Sequence, residues 1–398
     1  MDLTKVIAPS RRGACPTLET PMQTGDGLLA RLRIAGNRLD PEQFTLLANL
    51  ALIHGNGLVE VTARGNLQVR GLSPSSAPLF ADAIAANFSL DIGPVIDISP
   101  LAGDDPMEKA DPRPLAAAIR AGAMAMYGKL GPKVSTVVDS AGQISLASLK
   151  TDIRIMALDA TRWAVHFGGG KPQIMNAEGA ISGALAMLGA LAAFGLDARA
   201  TDLFPASNPS ALLMRDAATS PLPERPEREA VTMQLTTGHT TAIALPFGQM
   251  HGQALIALAG HAQAAGLGNV RLAPGHRLLI DGASPALVAQ AAALGFIVAA
   301  DDARLRVSAC IGSDGCASGH IAARRLAGSL ADHFRVGKHL HVSGCAKGCA
   351  HPRRADVTLV GRSEGIGLVI NGRAGDTPSE ILDEAGLIPA LAARQEAR

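Results

Sequence analysis

Four of the five cysteines in this chain fall in two pairs, Cys310-Ile-Gly-Ser-Asp-Gly-Cys316 and Cys345-Ala-Lys-Gly-Cys349. Thiolates are soft ligands, and four so close in sequence could enclose a zinc ion, hold an iron-sulfur cluster or close into two disulfides. Zinc knuckles typically leave about two to four residues between cysteines, whereas five and three intervene here. Longer arms suit sulfurs that must reach the corners of a cluster, so the spacing favours a cluster over zinc, and either over inert buried thiols. The second pair, at i and i+4, would set both sulfurs on one face of a helical turn. Gly312, Gly315, Gly344 and Gly348 allow close backbone approach with N–H groups aimed at sulfur, and Pro352 stops the turn. Cys15 is left over and reads as a spare thiol.

A second set of side chains is cationic. Arg31 and Arg33 alternate onto one face of a predicted strand, Leu28 to Ile34, and Arg64 and Arg70 follow around the next strands. Guanidinium groups sharing a sheet face suit recognition of carboxylates or other anions, with a solvated sheet face as the competing reading. To position them, Asp40-Pro41-Glu42 opens a helix to about Ala51, and strands run from Leu58 to Thr62 and through Leu67 to Leu72. The same order returns after Thr237-Gly238-His239, as a strand Ala242 to Phe247, a helix from about Gln253 to Ala265, and strands Asn269 to Leu272 and Leu278 to Asp281. Gly25, Gly36 and Gly71 recur as Gly238, Gly248 and Gly282, displaced by 211 to 213 residues. A repeat at one period points to an internal duplication. The first strand of the second copy carries no charge.

A length of 398 residues and 47% apolar content predict two or three domains with sizeable cores. Lys plus Arg (36) nearly balance Asp plus Glu (35), and aromatic side chains are few, so neither charge nor stacking platforms support a nucleic-acid partner. The cysteine pattern suits a reducing compartment, and Met1 to Lys5 does not open an apolar signal core. The uncharged run Gly179 to Leu196 is mostly Ala and Gly and reads as a helix packed on other backbone rather than a membrane span. The expectation is a cytoplasmic protein without membrane contact. We divide the chain into an irregular arm (1–21), a first half (22–89), an α/β domain without cysteines (90–220), a Pro-rich linker (221–230), a second half (231–304) and a cysteine-bearing domain (305–398). In the α/β domain a helix is predicted from Asp111 to about Met126 and a strand from Lys133 to Val138.

These residues resemble the sulfite and nitrite reductase superfamily over most of residues 22 to 375. Arg31-Leu32-Arg33-Ile34-Ala35-Gly36 is similar to its Arg-bearing strand, Thr62-Ala63-Arg64-Gly65-Asn66-Leu67-Gln68 to its Thr-x-Arg-x-x-x-Gln signature, and Leu130-Gly131-Pro132-Lys133 to its anion-binding segment. The resemblance implies an α+β fold of duplicated ferredoxin-like halves, with an iron-sulfur segment in the second half. It implies a [4Fe-4S] cluster on Cys310, Cys316, Cys345 and Cys349, and a substrate face carrying Arg31, Thr62, Arg64, Gln68 and Lys133. Two departures weaken the case for reducing a small oxyanion: Val95-Ile96-Asp97-Ile98 stands where the family has an Arg-Asn pair, and Ser135 replaces a second Lys.

The opening Met22 to Leu29, the Ser99-Pro100-Leu101-Ala102-Gly103 segment and Gly344 to Pro352 look more like the precorrin-3B synthase branch of the aerobic cobalamin pathway. That resemblance implies a monooxygenase that hydroxylates the tetrapyrrole precorrin-3A at C20 with O2 and forms a lactone. It also implies a mononuclear non-haem iron, a separate electron donor and reduced nicotinamide as the indirect electron source. His320, His333, His339, His341 and His351 crowd the cysteine segment, but no 2-His-1-carboxylate spacing singles out ligands. The alternatives are a sirohaem-dependent sulfite or nitrite reductase and a non-enzymatic iron-sulfur or zinc-stabilised electron-transfer module. The assignment of thiols predicts that Cys345→Ala loses its iron and sulfide while Cys15→Ala keeps both; equal contents in the two purified variants would refute it.

Overall fold

The computed structural model describes residues 15–168, 170–203, 235, 240–334 and 337–396. The linker at 221–230, most of the arm and Thr237 to His239 lie outside them. The first unit runs β1 (Met22–Thr24), β2 (Gly27–Leu32), a 3-10 turn (Ala35–Asn37), β3 (Arg38–Leu39), α1 (Pro41–His54), β4 (Leu58–Val61), β5 (Leu67–Leu72) and α2 (Ser76–Asn87). Asp40 starts α1 through a capping box: its carboxylate accepts from Gln43 N at 2.7 Å, and the Gln43 side chain accepts from Asp40 N at 3.2 Å.

An α/β unit follows: β6 (Val95–Ile98), α3 (Arg113–Ala123), β7 (Ser135–Asp139), β8 (Ile153–Ala157), β9 (Trp163–Phe167), β10 (Gln173–Met175), α4 (Ala177–Phe194) and the short α5 (Ala200–Leu203). The helix expected to Met126 ends at Ala123 and tightens into a 3-10 segment, Met124–Lys129. By length and composition α4 could cross a membrane, yet here it packs on α3, β8 and β9, burying Ala180, Ala184, Met187, Leu188 and Leu191. A small residue on α3 serves this packing: a Cβ on Gly122 would lie 2.7 Å from Leu185 of α4.

Both units then repeat. The second copy comprises β11 (Thr240–Ala244), a 3-10 turn (Pro246–Gly248), β12 (Gln249–His251), α6 (Gly252–Ala264), β13 (Val270–Ala273), β14 (Arg277–Asp281) and α7 (Pro285–Ala293). The strand expected to reach Phe247 stops at Ala244, because Pro246 and the positive φ of Phe247 (55°) and Gly248 (78°) turn the chain. The first copy has the same left-handed pair at Gly36 (68°) and Asn37 (53°). After it come β15 (Val307–Ala309), α8 (Ala323–Leu330), β16 (Leu340–Ser343), β17 (Ala355–Arg362), β18 (Gly365–Gly372), β19 (Glu380–Leu382) and α9 (Glu384–Glu396). The sheets β6-β7-β8-β9-β10 and β15-β16-β17-β18-β19 share one plan, three parallel strands followed by two antiparallel ones. The duplication is thus wider than the glycine spacing indicated, and it includes the α/β units.

The halves are tied together by exchange. β12 of the second copy pairs with β4 of the first, and β3 of the first pairs with β13 of the second. Between the two resulting sheets, α1 and α6 pack together in a core containing Leu32, Phe44, Leu47, Val69, Leu258, Leu272 and Ile280. The outer faces differ. In the second copy Ala242, Ala244, Ala273 and Leu279 are covered by Leu101, Val137, Ile144 and Leu146 of the α/β unit, whereas the first copy has polar residues there. At the exchanged edge Arg38 and Arg271 stand directly opposite each other. Asp104 accepts from both, at 2.8 and 2.7 Å, and Asp281 also pairs with Arg271 at 2.7 Å, which relieves a like-charge contact. Arg271 is only 7% exposed. Arg271→Ala should therefore cost about 2–3 kcal/mol in urea unfolding, the range for losing charged hydrogen bonds.

Candidate functional site

The register of the first sheet builds a row of polar side chains across four strands. Arg31 on β2 lies opposite Gln68 on β5, Gln68 opposite Glu60 on β4, and Glu60 opposite Gln249 on the exchanged β12. Arg31 Nε and Nη2 donate to Gln68 Oε1 at 2.8 and 2.6 Å. Gln68 Nε2 and Gln249 Nε2 donate to the two carboxylate oxygens of Glu60. One step along the sheet, Arg70 makes a two-pronged pair with Asp26 at 2.8 Å in each arm and reaches Glu60 at 3.3 Å. Burial works against the Arg70 charge, but Asp26 and Glu60 outweigh it and hold the guanidinium above its ordinary range. Burial likewise opposes the Asp26 carboxylate, and Arg70 reverses the balance so that its pKa is lowered.

The other expected substrate residues are placed differently. Thr62 shapes a tight turn: its hydroxyl accepts from Arg64 N and Asn66 N at 3.3 and 3.1 Å. The turn aims Arg64 at the first α/β unit, where it binds Asp97, the Lys150 carbonyl and Ser135 Oγ, the last at 3.3 Å. Burial lifts the Asp97 pKa despite the opposing charge of Arg64. Lys133 is exposed in the turn leading into β7, two residues before Ser135. Arg33 is a structural residue, bound to Asp91 at 2.6 Å and to the Gly93 carbonyl at 2.9 Å. Sequence reasoning passed over Glu60 and Gln249. The alternation of Leu58-Val59-Glu60-Val61 does put Glu60 on the outer face, but the placement of Gln249 depends on the strand exchange, which no local pattern encodes.

The cysteines lie at one edge of the second α/β sheet. Because β15 and β16 run parallel, Cys310 and Cys345, just past their ends, emerge side by side, the usual place for a site in such sheets. Gly344 N donates to Cys310 Sγ at 3.1 Å. No disulfide joins the four thiols; Cys310, Cys316 and Cys345 are half-buried and Cys349 is exposed. Desolvation, followed by the charges of Cys310, Cys345 and Cys316, raises the Cys349 pKa, so all four share one electrostatic neighbourhood. The expected helical turn from Cys345 to Cys349 is absent: Gly348 takes φ 61°, which breaks a right-handed helix, and the segment forms turns. The first unit covers Cys316. Ala317 N donates to the Gly25 carbonyl at 2.9 Å, and any Cβ on Gly25 would collide with Cys316 Sγ.

This donor set fits a cluster. The four thiols influence one another electrostatically, and the Gly344 N–H points at Cys310 Sγ. Between the first sheet and the cysteine loop lies a cavity of ≈ 380 Å³ lined by Asp26, Asn56, Leu58, Ile311, Asp314, Gly315 and Arg324.

The fold is that of the nitrite and sulfite reductase architecture. The model of the nitrite/sulfite reductase ferredoxin-like half domain matches residues 20–87. The structure of the Mycobacterium tuberculosis NirA protein superposes with a TM-score of 0.66 at 18% identity, covering 91% of this chain and 79% of that one. A Sinorhizobium precorrin-3B synthase is 39% identical over 97% of this chain and 88% of its own length. The chain belongs to the precorrin-3B synthase family.

Behind Cys345, Ser308 Oγ joins His339 Nε2 and His341 Nδ1, each at 3.0 Å, and His351 stacks 4.5 Å from His339. Burial first, then neighbouring positive charge, pushes His339 and His341 from 6.5 to about 4. With folded values depressed, their contribution to stability is present above pH 6.5 and is lost as pH falls towards 4. His341→Phe should flatten that part of the pH profile of urea unfolding.

Proposed function

We propose that this chain is a precorrin-3B synthase, inserting one oxygen atom of O2 at C20 of precorrin-3A with lactone formation. The observation that carries the reading is 39% identity along 97% of the chain to a protein of that name. In balance, the substrate C–H bond, O2, two electrons and two protons give the hydroxylated product and one water, and closure of a substrate carboxyl into the lactone needs no further electrons.

The chain's own residues have three tasks. Arg31 spends Nε and Nη2 on Gln68 and has Nη1 left to receive a substrate carboxylate. Thr62 fixes the turn that holds Arg64 at the boundary with the α/β unit, and Lys133 adds an exposed charge two residues before Ser135. Cys310, Cys316, Cys345 and Cys349 would hold a [4Fe-4S] cluster, which when bound supplies electrons singly from a separate donor and ultimately from reduced nicotinamide. Binding of Arg64 by Asp97 and Ser135 favours an organic substrate over a small oxyanion, because the positive charge is already spent.

Anaerobically purified holoenzyme, given precorrin-3A, a reductant and isotopically heavy O2, should yield product heavier by one labelled oxygen. Absence of turnover with the cluster intact, or sirohaem bands in the optical spectrum, would overturn the reading.

A further inference from the structure

Gln68 has one donor end and one acceptor end, so its orientation follows whichever neighbour is charged. Two charged neighbours constrain it. Glu60 accepts from Nε2, which turns Oε1 towards Arg31, and there it takes both Nε and Nη2 at 2.8 and 2.6 Å. With the amide reversed, its NH2 would face the guanidinium donor to donor. Glu60 is held in turn by Gln249 Nε2 and by Arg70, and both Gln68 and Gln249 are only 7% exposed. Gln249 belongs to the second copy. Its carbonyl accepts from Arg324 Nη2 at 3.1 Å, and that arginine is carried by α8 of the cysteine-bearing unit. Its own Oε1 is buried without a partner.

We infer that Glu60 and Gln249 are positioning residues: they fix the polarity of Gln68 and so the plane in which Arg31 meets a carboxylate of the tetrapyrrole. This rests on the synthase reading above. The exchanged strand makes the substrate face of the first copy depend on the second, and through Arg324 on the unit bearing the cysteines. Glu60 touches no substrate in this scheme and acts only through Gln68 and Arg31.

The test is a double-mutant cycle on holoenzyme whose iron and sulfide contents match the parent protein. Glu60→Gln should raise KM for precorrin-3A about tenfold, the worth of one charge-assisted hydrogen bond, with a much smaller change in kcat. Glu60→Asp, which keeps the charge, should recover part of the loss, and the Kd for uroporphyrin, a carboxylate-rich tetrapyrrole, should move in parallel. In an Arg31→Ala background Glu60→Gln should add nothing further. Full additivity of the two substitutions, or a parental KM in Glu60→Gln, would overturn the positioning role while leaving the synthase reading in place. If Glu60→Gln fails to fold by circular dichroism, Gln249→Leu takes its place in the cycle with the same expected outcomes. A parent holoenzyme that neither converts precorrin-3A nor binds uroporphyrin removes the underlying reading and this inference with it.

Discussion

A carboxylate in the middle of a sheet face must be neutralised where it stands, since leaving one buried charge unpaired costs more than an exposed pair returns. Glu60 occupies that place, and its neighbours follow from it: two glutamine amides turned the same way, Arg70 held charged against burial, and Asp26 held ionised beyond it. In the corresponding row of the second copy Ala242 and Leu279 lie under an apolar cover, and the one charge there, Arg271 opposite Leu279, is neutralised by Asp281 and Asp104. The two arrangements separate an open polar face from a covered one.

Much of this organisation can be read from residue order. Helix starts are encoded locally, as Asp40-Pro41 shows, and strands by alternation; glycines at special backbone positions exposed the repeat because they tolerate little substitution. The four cysteines announced a shared site before any fold was considered. Illegible were features that arise only when distant segments meet. The exchanged β12 meets β4 from 189 positions away, as the contact of Gln249 with Glu60 shows, and β3 meets β13 across a longer gap still. Short turns also misled: Cys345 to Cys349 has helical spacing, but a left-handed Gly348 decides its shape.

The two departures from the reductase pattern prove to be neighbours in space. Asp97 and Ser135 stand in different strands, and both bind Arg64. Each replacement looked like a lost cation in isolation. Together they make Arg64 a tie between the first sheet and the adjoining α/β unit, a role that neither position reveals alone.

The strand exchange has a consequence for symmetry. Two separate copies of one such unit, exchanging β3 in the same way, would form a two-fold dimer, and symmetry would oblige both outer faces to be identical. Either both would be open and polar or both would be sealed. Joining the copies in one chain lifts that obligation, so a single molecule can hold one face as a wall and keep the other as a door.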